Sequence, residues 1–185
     1  MVCGFRLINT VRRNRMYPER TVHDYLLDSD GTTRDVTFTP CSRDALLSFL
    51  RHLLRSFRPV SLADNESADR LPQLRSGDRA ALLDGPAGFL HGIWESDSGL
   101  FHRLQTFVDW PADSSPDFCV ELSFFPDEVY TSAFSVRAFD AQIETWRSIL
   151  GARDFFVHQE NASWNIYDAG GLGVIYTHSR PPLWQ

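Results

Sequence analysis

Between residues 118 and 150 the period of the apolar side chains changes from two to 3.6, which calls for a sheet packed against a helix. In 118–125, Phe118, Val120, Leu122 and Phe124 alternate with Cys119, Glu121, Ser123 and Phe125, so one strand face is core and the other is mixed. Phe139, Ile143, Trp146 and Leu150 then fall on one face of a helix near 138–150, and Gly151 stands where a left-handed cap closes it. Three short β-rich runs follow, 155–160, 164–167 and 174–178, and predict a C-terminal three-strand antiparallel meander.

The N-terminal half has the same ingredients. Runs 21–27 and 34–39 flank a turn containing Gly31 and read as a hairpin. Ser42 and Asp44 open a helix near 42–57 whose core face is Leu46, Leu47, Phe49, Leu50, Leu53, Leu54 and Phe57; Arg51, Arg55 and Arg58 line its flank. Residues 59–88 read as an irregular connector, 89–94 and 101–108 as two strands, and 109–117 as an acidic loop that carries Trp110. The expected class is α+β, a mostly antiparallel sheet with two main helices. One domain over 1–185 is the expectation, with the connector leaving open an N-terminal ββα subdomain (1–58).

All 18 basic residues are arginine, so no lysine is present for a Schiff base or a phosphate-binding loop. Residues 1–94 carry 13 arginines against 11 acidic groups, whereas residues 95–185 carry 5 against 13. The acidic, aromatic-rich second half opposes nucleic-acid binding, which needs cations to displace counterions, and suits a basic protein partner. No apolar run is long enough for a membrane span and no export signal is read, so a cytoplasmic location is expected. Three widely spaced cysteines fit neither a disulfide framework nor a metal knuckle.

Motif searching gives no metal site, no cofactor and no assigned catalytic residue. Residues 116–121 loosely follow the opening of the PD-(D/E)xK nuclease pattern, but Leu122-Ser123 stands where that pattern needs its lysine. The glycine-rich run 170–173 precedes a β-branched strand rather than a helix, so it is a turn and not a dinucleotide cradle. A small enzyme or effector built around Cys119 and His158, with Glu160 on the His158 strand face, is the alternative reading.

In its size, negative charge, lack of a catalytic motif and tryptophan-rich α+β pattern, the chain resembles the bacterial immunity proteins of polymorphic toxin systems. That resemblance implies a non-catalytic protein that neutralises a basic partner, such as a toxin, by occlusion. The expected contacts are residues on loops and strand ends: Trp110, Asp113, Asp117, Asp127, Glu128, Glu160, Asn161 and Asp168.

Overall fold

A computed structural model describes residues 17–77, 80–83, 88–110, 118–160 and 173–184. Its helices are α1 (Glu19–Leu27), α2 (Arg43–Ser56), α3 (Leu71–Ser76) and α4 (Val136–Leu150). Its strands are β1 (Arg34–Cys41), β2 (Arg58–Asp64), β3 (Gly88–Glu95), β4 (Arg103–Trp110), β5 (Phe118–Phe124), β6 (Asp154–Gln159) and β7 (Val174–Thr177). All seven strands join one antiparallel sheet in the order β2-β3-β4-β5-β1-β6-β7, which makes the fold α+β.

The two main helices form where the periodicity places them. Ser42 accepts a hydrogen bond from the Ala45 amide at the start of α2, and Ser135 accepts one from Ala138 at the start of α4. Gly151 closes α4 with φ 62°, a conformation that carries no Cβ penalty in glycine. The two helices pack against each other and against the sheet face that presents Val36, Phe38, Leu104, Val120, Leu122 and Phe124. Trp146 lies at the middle of this layer, with Phe49 and Phe101 against its ring.

Three local readings are corrected. Residues 21–27 are helical, not the first strand of a hairpin. As a strand they would place Asp24 on the same face as Val22 and Leu26; the helix buries Val22 and Leu26 completely and leaves Asp24 in solvent. Residues 58–64 form a strand in the stretch read as irregular. β2 is a sheet edge, where Pro59 can sit without an amide hydrogen, and its register shifts between Pro59 and Ser61. Arg58 therefore belongs to β2, where it pairs with Glu95, and not to the flank of α2. Trp110 ends β4 instead of standing in a loop.

β1 is central, between β5 and β6, so strands from both halves of the chain interleave. β6 and β7 pair directly with each other; the middle run of the expected meander, 164–167, lies outside the described residues.

Gly92 shows how tightly the core side of the sheet is filled. A Cβ there would stand 2.6 Å from Thr106 Oγ1 and 2.8 Å from Trp94 Nε1, two groups joined by a 3.0 Å hydrogen bond from the indole to the hydroxyl. Both partners are buried and held in place. Gly92→Ala is therefore expected to lower stability by about 1–3 kcal/mol, read as a lower urea midpoint with an unchanged slope.

Candidate functional site

Alternation along the central strands sends one set of side chains to the helices and a second, polar set to the opposite face. β1 contributes Asp35 and Thr37, β5 contributes Glu121 and Ser123, and β6 contributes His158. The register aligns Asp35 with Ser123 and His158, and Thr37 with Glu121 and Phe156. Strand-to-strand hydrogen bonds connect them. Ser123 and Thr33 donate to Asp35 Oδ1 at 2.5 and 3.0 Å, and the Thr37 hydroxyl lies 2.9 Å from His158 Nε2 and 3.1 Å from Glu121 Oε2. His158 Nδ1 donates to the Gln159 carbonyl at 3.0 Å.

The electrostatics follow from burial. Loss of solvent pushes the Glu121 carboxyl up to about 7, and the nearby Asp35 charge adds to the rise while the Thr37 hydrogen bond opposes it. Asp35 is also raised by burial, against the hydrogen bond from Ser123 and the His158 charge. Burial lowers His158, with the Gln159 hydrogen bond and Asp35 working the other way. On the neighbouring strand Asp109 is raised by burial, and the His91 ring stacks on Phe107 while its Nε2 lies 3.0 Å from Gln105 Oε1.

This register does not assemble the alternative cysteine centre. Cys119 shares the face with His158 but lies two strands across and four residues along, about 17 Å away by strand spacing and rise. Cys41 is buried and its thiol is pushed up to about 12. His178 does not approach His158; it contacts Glu144 on α4 and packs beside Phe155. Glu160 does lie near the cluster, its carboxylate accepting from the Thr33 amide at 3.4 Å. Among the described residues no group of three or more His, Cys, Asp or Glu is arranged to hold a metal.

A second polar region occupies one end of the sheet. There the β3–β4 turn meets the 3-10 turn Pro126–Glu128 and encloses a shallow cleft of about 380 Å³ lined by Glu95, Asp97, Arg103, Asp127, Glu128 and Tyr130, among others. Asp97 and Asp127 are exposed. Glu128 is committed to the fold: it accepts from the Phe125 amide at 3.2 Å and faces Arg103 at 3.8 Å. His102 stacks on Tyr130, whose hydroxyl donates to the Ser96 carbonyl at 2.8 Å.

Of the residues singled out from the sequence, Asp127, Glu128 and Glu160 lie at this same end of the sheet. Trp110 lies at the other end, about 24 Å away along β4, with its ring half-buried against Phe118 and over Gly88. Asp113, Asp117, Asn161 and Asp168 lie outside the described residues. Glu95 and Asp97 were not anticipated at the acidic end; they sit in a segment that reads simply as a polar turn until the fold brings it beside Asp127. No described helix is long and apolar enough to cross a membrane.

No family model and no curated protein matches the chain. Its fold is similar to that of a chain in the 1.75 Å crystal structure of the toxic C-terminal tip of CdiA from Pseudomonas aeruginosa in complex with immune protein. The match has a TM-score of 0.55 and 14% identity, and it covers 81% of this chain and 96% of that one.

Proposed function

We propose that this chain is a non-catalytic, cytosolic bacterial protein that neutralises a basic protein partner, such as a toxin, by occlusion. The observation that carries the reading is the likeness of fold, over nearly the whole of the matched chain, to a component of a toxin–immune protein complex. The charge distribution supports it: Glu95, Asp97, Asp127, Glu128 and Glu160 lie at one end of the sheet, where Arg58 pairs with Glu95 and Arg103 with Glu128 among the described residues. An anionic rim of this kind speeds encounter with a cationic surface and orients it, and steric cover then blocks that surface. Trp110, at the opposite end, packs against the fold and is assigned a structural role in this scheme.

Co-expression with a toxin encoded by a neighbouring gene is expected to restore growth, and the two chains are expected to co-elute. Failure of the wild-type chain to bind or protect against any neighbour-encoded toxin would sink the proposal. Asp97→Arg combined with Asp127→Arg is expected to slow association at least tenfold at low salt, measured by stopped-flow or surface plasmon resonance, with thermal stability kept. Unchanged association would move the contact to another surface.

A further inference from the structure

We propose that Glu121, Thr37 and His158 form a one-proton switch at the centre of the sheet, which holds a proton in the folded chain and releases it as the solution becomes alkaline. The inference does not depend on the partner. It begins from a count of hydrogens. The Gln159 carbonyl can only accept, so His158 Nδ1 carries hydrogen. Thr37 has one hydroxyl hydrogen and two close neighbours, His158 Nε2 at 2.9 Å and Glu121 Oε2 at 3.1 Å.

If His158 is neutral, Nε2 takes the Thr37 hydrogen, and the contact from Thr37 to Glu121 is a hydrogen bond only when the carboxyl is protonated and donates. If Nε2 also carries hydrogen, it donates to Thr37 and the hydroxyl turns to an ionised Glu121. The two arrangements differ by relay of one proton through Thr37, and both contain it. Without that proton one of the two contacts sets lone pairs against lone pairs, which a buried site tolerates poorly.

The charged and titratable groups facing the chain favour retention. Asp35 lies on the same strand, its Oδ2 3.9 Å from His158 Nδ1; Asp109 faces Glu121 from β4; Glu160 acts on Asp35 from beyond β6. Among the described residues these three are acidic, and His91 on β3 is separated from the hydrogen-bonded chain by Phe107. The upward displacement of Glu121 to about 7 and the downward one of His158 agree with this, and make protonated Glu121 with neutral His158 the form held below neutrality.

A carboxyl raised in the folded chain contributes stability that is fully present below the ordinary range and is lost as pH rises through its folded value. Between pH 5.5 and 8.5 this one group is expected to reduce the folding equilibrium constant roughly thirtyfold. Glu121→Gln keeps an N–H donor toward Thr37 and has no proton to release. Urea midpoints of Glu121→Gln should therefore lack the decline that the wild type shows across that range. In the folded wild type, the His158 Nε2 resonance should shift with a midpoint near 7 as Thr37 exchanges partners. Equal pH slopes in the two proteins, or a His158 resonance unmoved between about pH 6 and 8, would overturn the switch. If Glu121→Gln fails to fold, the wild-type resonance alone decides.

Discussion

Arg34→Met is expected to destabilise the protein by about 3–5 kcal/mol, a large share of the total for a domain of this size. Arg34 is fully buried, yet its guanidinium has a partner in each direction. Nε donates to the Tyr25 carbonyl at 2.6 Å and one terminal nitrogen to the Asp28 carbonyl at 2.6 Å. The other reaches the Thr32 hydroxyl at 2.8 Å, with Asp30 and the Thr32 and Thr33 carbonyls at 3.2 Å. Tyr25 and Asp28 lie at the C-terminal end of α1, which has no basic residue in its last turn. Arg34 thus supplies, from the adjacent strand, the cation and the donors that the end of a helix lacks.

Methionine would fill the volume of the buried side chain but supply no donor to those carbonyls, so the exposed 28–31 loop would lose the anchor that fastens it to the end of α1. The hydrogen bonds of Thr32 and the Arg34 charge also hold the Asp30 carboxyl down at about 2, so that this side of the clamp remains ionised in all but strong acid. Arg34→Lys keeps the charge without the planar fork and should fall between wild type and Arg34→Met. Urea unfolding measures the series. A loss of less than about 1 kcal/mol in Arg34→Met would show that the loop is held by other contacts.

Much of the helical layer could be read from the chain, because its signals are local. The spacing of Phe139, Ile143, Trp146 and Leu150, and of Leu46, Leu50 and Leu53, needs no knowledge of partners, and Ser42 and Gly151 mark two of the ends; the Ser135 cap that starts α4 two residues earlier than expected was not singled out. Where local signals conflicted, the reading failed. Thr21, Val22 and Tyr25 favour a strand individually, whereas the four-residue spacing of Val22 and Leu26, with Glu19 in the first turn, identifies the helix. Pro59 masked β2 because a proline is compatible with a strand only at an edge, and an edge is a property of the finished sheet.

The polar centre was hidden for a related reason. Alternation alone puts Asp35 and Thr37 on the face opposite Val36 and Phe38, and Glu121 and Ser123 opposite Leu122. That these four meet His158 depends on β1 entering between β5 and β6, a pairing across more than 80 residues. A hairpin between 21–27 and 34–39 would have used one edge of β1 and kept the cluster apart. Acidic side chains on turns were legible; which turns share an end of the sheet was not. Arg34 shares the inward face with Val36 and Phe38, a position the sequence reading did not draw out, and there it reaches the carbonyls of the preceding loop.

Trp146→Ala and Trp146→Phe are expected to behave very differently, and the difference separates packing from hydrogen bonding in the core. The indole is 1% exposed. It stacks on Phe101 with centroids 5.9 Å apart and receives Phe49 edge-on at 6.2 Å. Truncation to alanine removes the contact surface joining α2, α4 and the sheet, and should cost about 3–5 kcal/mol. Among the described residues, however, the buried Trp146 Nε1 has no hydrogen-bond partner. Phenylalanine loses part of the ring volume but also removes that unsatisfied donor, whose burial costs roughly 1–3 kcal/mol. The two terms nearly cancel, so Trp146→Phe should lie within about 1 kcal/mol of wild type. Thermal and urea unfolding of both variants decide the point. A Trp146→Phe loss close to that of Trp146→Ala would mean that the indole nitrogen is satisfied in solution, and that the polar atom as well as the ring holds the two helices on the sheet.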